Sequence, residues 1–136
     1  EPSSKRLEYV LYSVFNCMID AYFEEEKEYQ RMIKMLKVTN MESRTGRKVA
    51  NQYIIKDSKN HKLYFQSYET VIACIERAGR AGDVILVSGA CDFSKTTSKY
   101  LFKFLSENSL INPAFLSKKG IAELIKRGDI RQVEKF

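Results

Sequence analysis

Apolar residues recur along the first part of the chain at three- and four-residue intervals: Leu7, Val10, Leu11, Val14, Phe15, Met18, Ile19 and Tyr22. That rhythm places them on one face of a long amphipathic helix. Ser3 or Ser4 can cap its start, because a short hydroxyl accepts from the amides that a first helical turn leaves without partners. An acidic stretch, Glu24-Glu25-Glu26-Lys27-Glu28, follows, and Met32, Ile33 and Leu36 restore an apolar side. The helix therefore either runs to about Met35 or breaks at the acidic run.

Beyond Leu36 the period changes from 3.6 to 2. In Val49-Ala50-Asn51-Gln52-Tyr53-Ile54-Ile55, every second side chain shares a face, and the β-branched and aromatic content suits a strand. Arg44-Thr45-Gly46 and Asp57-Ser58-Lys59-Asn60 carry turn chemistry on either side. Three antiparallel strands are expected at 37–43, 49–56 and 61–66. Ser67 is then read as the cap of a short helix carrying Val71, Ile72 and Ile75 inward, with Gly79 stopping it. Asp83 to Val87 reads as a buried strand. Asp92 or Ser94 opens a helix with Tyr100, Leu101, Phe104 and Leu105 on its core side. After Asn112-Pro113, Ser117 caps a last helix bearing Ile121, Leu124 and Ile125, Gly128 closes it, and Ile130 to Val133 adds an edge strand. The expected fold is α+β: a long N-terminal helix (1–36), then a compact domain (37–136) in which an antiparallel sheet of three to five strands packs with three shorter helices.

Composition narrows the functional classes. The 136 residues include 44% apolar residues with eight Tyr and eight Phe, enough to form one core and to exclude intrinsic disorder. No apolar run approaches the ~20 residues of a membrane span, and Glu1-Pro2-Ser3-Ser4 lacks a signal peptide's basic start and apolar stretch. A cytoplasmic protein is expected. Cys17, Cys74 and Cys91, odd in number and set among apolar neighbours, read as three small buried thiols rather than a disulfide framework. The net charge of +6 is unevenly divided. Residues 1–36 carry 5 basic and 7 acidic side chains, a net −2, and residues 37–136 carry 18 and 10, a net +8.

Three constellations could carry chemistry. Arg44, Arg47, Lys48, Lys56, Lys59 and Lys62 interleave with Tyr53 and Tyr64, and with Phe65 and Tyr68, a mixture that neutralises phosphates and stacks bases. A solvated charged hairpin with core aromatics has the same composition. Ser94, Thr96, Thr97 and Lys99 crowd a helix start, where free amides favour an anion or a partner's acidic group; the P-loop glycines are missing, and plain caps are the simpler reading. A nucleophile built from Ser94, Lys99, Asp92 or Tyr100 is the enzymatic alternative. The lone His61 lies beside a turn with no ligand-spaced partner, so no metal or other cofactor is expected.

The blocks 49–55, 64–68 leading to Val71-Ile72-Ala73, and Asp92-Phe93-Ser94-x-Thr96-Thr97-x-Lys99-Tyr100 with Phe104-Leu105, resemble a family of small tailed-phage proteins of unknown function over about residues 37–130. Its members carry an aromatic where this chain has Cys91, and they lack the N-terminal helix. The resemblance implies a phage or prophage source, a bacterial host's cytoplasm and a stand-alone accessory role, and it brings no catalytic residue. The expected function is non-enzymatic binding of nucleic acid, or of a host nucleic-acid-handling protein, through the basic body. The alternatives are a protein–protein inhibitor of host defence, such as an anti-CRISPR factor, and a small enzyme. The apolar stripe of the first helix either completes the core or pairs with a second copy in a homodimer.

Overall fold

The computed structural model describes residues 2–77 and 82–136, with side chains described for 10–31, 34–77 and 82–136. The chain divides into two units, Glu1–Met35 and Leu36–Phe136. The first is a single helix, α1 (Pro2–Met35), which passes through the acidic run without a break. Spaced pairs hold it there: Lys27 bridges to Glu24 at 3.3 Å and Arg31 to Glu28 at 3.2 Å, each three residues apart and hence on one side of the helix. The caps expected of Ser3 and Ser4 fall on side chains outside the described residues.

The second unit is built on one six-stranded sheet in the order β1 (Leu36–Glu42), β2 (Lys48–Asp57), β3 (Lys62–Ser67), β4 (Thr70–Glu76), β5 (Asp83–Val87) and β6 (Ile130–Val133). The first five form an antiparallel meander. The chain then passes through α2 (Lys95–Asn108), a 3-10 turn at Pro113–Phe115 and α3 (Lys118–Arg127), and returns as β6, parallel to β5. The sheet is therefore mixed and six-stranded, with two α-helices and the 3-10 turn between β5 and β6, which corrects the expected antiparallel sheet of three to five strands with three shorter helices. The missing helix is β4: Val71, Ile72 and Ile75 lie in a strand, paired with β3 and β5. Ser67 ends β3 instead of capping a helix. Gly79, read as that helix's stop, lies outside the described residues.

Alternation along β3 separates the two faces. Leu63, Phe65 and Ser67 are buried, while Lys62, Tyr64 and Gln66 are half-buried. The Phe65 ring stacks on Phe104 of α2 at 5.7 Å, so the first set faces the helices. Leu101, Phe104, Ile121 and Leu124 join Leu63, Ile75, Leu86 and Ile130 in one core. Ser94 caps α2 by accepting from the Thr97 amide, Ser117 caps α3 by accepting from the Gly120 amide, and Gly128 closes α3 in the left-handed conformation at φ 84°. Those three positions match the sequence reading.

The expected trio of buried thiols needs correction. Cys74 is buried, Cys91 is partly buried, and Cys17 is exposed on α1. Burial pushes the Cys74 and Cys91 thiols up, which keeps them protonated and poor nucleophiles.

Candidate functional site

The backbone departs from regular geometry where β2 and β3 meet. Asn51 in β2 has φ 64° and Tyr68, just past β3, has φ 54°. Asn tolerates this left-handed region because its short amide bonds locally, but an aromatic side chain there is strained. Ser67 pairs with Thr70, so Tyr68 and Glu69 form a two-residue hairpin turn. Its first position, the one with positive φ, usually belongs to glycine. Two hydrogen bonds hold the conformation: the Tyr68 amide donates to the Asn51 carbonyl at 2.7 Å, and the Gln66 side-chain amide donates to the Tyr68 carbonyl at 2.7 Å. Strain persists only where the surroundings over-determine it, and it concentrates at functional sites.

These residues surround a concavity on the sheet face opposite the helices. Val38, Asn51, Tyr53, Ile55, Gln66, Tyr68 and, at its rim, the acidic Glu69 line a space of about 540 Å³. Tyr53 pairs with Gln66 and Ile55 with Tyr64 across β2 and β3, which sets their side chains on the same side. Tyr68 is 57% exposed and Val38 60% exposed, so apolar and aromatic surface is presented outward.

The same strand junction is locked on its other face. The Ser67 and Thr97 hydroxyls bond to each other across 2.9 Å, Ser94 donates to Thr97 at 3.0 Å, and the Thr97 amide donates to Ser94 at 3.0 Å. This hydroxyl chain ties the end of β3 to the first turn of α2. Gln52, opposite Ser67 in register, is 1% exposed, and among the described residues neither polar atom of its side chain has a partner. The three motif blocks singled out in the sequence thus meet at one corner: Asn51 and Gln52, Gln66 to Tyr68, and Ser94 with Thr97.

The basic residues divide between the two ends of β2. Arg44, Arg47 and Lys48 are exposed at the β1–β2 turn, the end that also holds Asn51 and the Tyr68 turn. Lys59 and Lys62 lie at the β2–β3 turn, about 30 Å away along ten residues of strand. Lys62 sits 3.7 Å from Glu76. Lys56 pairs with Leu63 in register and so belongs to the helix-side face, away from Tyr53. At this far end Asp57 accepts from the Asn60 side-chain amide at 2.8 Å and the Asn60 backbone at 3.2 Å, which holds its carboxyl below the usual range. Tyr64 shares the outer face, but its ring packs edge-on against Phe136 at 6.2 Å, and burial pushes its hydroxyl up. Phe65 is core.

The α2 start is engaged in its own structure. Ser94 and Thr97 are in the hydroxyl chain, Thr96 is exposed, and the Lys99 ammonium lies 5.5 Å over the Tyr100 ring. Asp92 pairs with Lys118 at 2.6 Å, and Tyr100 is buried. Asp92, Ser94 and Lys99 line one open concavity of about 550 Å³ together with Lys118, while Tyr100 is buried. His61 is exposed at its turn with φ 54°. Among the described residues, no three His, Cys, Asp or Glu side chains converge as a metal site would need, and no helix is long and apolar enough to cross a membrane.

Sequence reasoning placed Tyr53 and Tyr64 in the site but passed over Asn51 and Gln66. Their presence inside two of the three resembling blocks was the available signal. Comparison with known proteins adds one match: residues 36–121 fit the profile of the Family of unknown function (DUF8033). No curated protein and no solved structure matches the chain.

Proposed function

We propose that this chain, which belongs to the DUF8033 family of unknown function, binds single-stranded nucleic acid across the outer face of its sheet. The observation that carries the reading is the pair Tyr53 and Tyr68 on one concave face, with the Tyr68 ring displayed by a strained turn that two hydrogen bonds enforce. Aromatic rings on a sheet stack successive unpaired bases, each worth about 1–3 kcal/mol. Asn51 and Gln66 supply amides for base edges. Arg44, Arg47 and Lys48 project from the same end and meet the phosphates, in keeping with the +8 of residues 37–136.

In our reading the source is a phage or prophage and the working compartment is the host cytoplasm, supported by the resemblance of the three motif blocks to tailed-phage accessory proteins. No step of bond making or breaking is assigned to the site.

Fluorescence polarisation with labelled single-stranded DNA, single-stranded RNA and duplex at two salt concentrations tests the reading. Single strands bind more tightly than duplex, and affinity falls as salt rises because phosphate contacts release counterions. Tyr68→Ala costs about 1–3 kcal/mol of binding at either salt concentration, whereas Arg47→Gln weakens binding and lowers the salt slope by about one. Binding no tighter than micromolar at low salt, or equal for single strands and duplex, sinks it.

A further inference from the structure

We infer that the chain pairs with a second copy of itself through α1, the two helices running antiparallel with Leu11 of one level with Met18 of the other. This stands apart from the nucleic-acid reading, since it rests on the other unit of the molecule.

Val10, Leu11, Val14, Phe15, Met18 and Tyr22 are each more than half exposed on α1. At 100° per residue these six fall on one face, and Leu11, Phe15, Met18 and Tyr22 repeat at intervals of four, three and four, the spacing of a coiled-coil seam. Six such side chains offer on the order of 600 Å², set against the roughly 800 Å² that each partner contributes to a standard interface. The face is therefore close to what a stable pair needs, and larger than the scattered apolar residues of an ordinary surface.

Charge selects the occupant and its direction. Asp20, Glu24, Glu25, Glu26 and Glu28 lie past the middle of α1, with Lys27 the one basic residue among them. A parallel pair sets each acidic run beside its copy, and like charges there oppose association. An antiparallel pair centred between Val14 and Phe15 separates the two acidic runs. The same center sets Leu11 against Met18 twice, which is the self-complementarity that a two-fold interface requires. An anionic membrane surface fits poorly, because this helix carries its densest charge as glutamate.

The test uses the full chain. Light scattering gives twice the chain mass over a concentration series, and Phe15→Glu returns the single-chain mass while the thermal transition of residues 36–136 stays in place. In a Cys17→Ser background, Leu11→Cys and Met18→Cys chains are oxidised separately and mixed. Cross-linking that appears only in the mixture supports the antiparallel pair. Cross-linking of either variant with itself overturns the direction, and single-chain mass throughout the series overturns the pairing, leaving the face to residues 36–136 or to a different protein.

Discussion

Gln52 is a long amide, 1% exposed, opposite Ser67 in register and without a hydrogen-bond partner among the described residues. A buried polar group without a partner loses its hydration and gains nothing in return, at a cost of about 1–3 kcal/mol. Replacing it with an apolar side chain of similar length removes that cost and keeps the volume. Gln52→Met is therefore expected to raise stability by about 1 kcal/mol in urea denaturation. A loss of similar size would show instead that a buried water bonds the amide. The prediction is confined to one residue because Ser67, Thr97 and Ser94 complete their hydrogen bonds without Gln52.

Among the elements, the clearest constraint is where the 3-10 turn meets α3. A Cβ on Gly120 would stand 2.3 Å from the Phe115 carbonyl oxygen and 2.6 Å from the Phe115 Cα. Both are backbone atoms, so neither can rotate aside. Gly120→Ala is expected to destabilise the domain by roughly 2–4 kcal/mol, read as a lowered urea midpoint, because turn and helix must separate. Gly128→Ala, where nothing lies within 4 Å, strains only the local backbone. The contrast also shows what the sequence makes legible. Ser94, Ser117 and Gly128 act through local backbone chemistry and are readable from their neighbours, whereas Gly120 matters because the Phe115 backbone, five residues earlier, folds back against it.

The β4 misreading has the same origin. Ile72, Ala73, Cys74 and Ile75 are all buried, so the strand shows no alternation to distinguish it from a buried helix. The turn leading into it, Tyr68-Glu69, contains none of the residues that usually mark a hairpin. β1, β2 and β3 are readable because recognisable turns, Arg44-Thr45-Gly46 and Asp57-Ser58-Lys59-Asn60, separate them. The candidate site was half legible for a related reason: Tyr53 could be seen as an aromatic in a basic hairpin, but the strain at Tyr68 and the register that joins it to Asn51 exist only in three dimensions.

At the scale of the molecule, charge and apolar surface are distributed unevenly between two units. Residues 36–136 carry their own core and most of the positive charge. In α1 the apolar stripe is exposed, and a helix in water without a packed face is marginal even at good propensity. The two units should then respond differently to concentration. The far-ultraviolet helical signal at 222 nm is expected to rise with protein concentration as α1 gains a partner, while the near-ultraviolet signal of the buried aromatics, among them Phe65, Phe104 and Tyr100, stays constant. Mass action requires that coupling, since anything that binds only the helical form shifts α1 toward it. A helical signal that is full and flat across dilution would mean that α1 is held by something other than association.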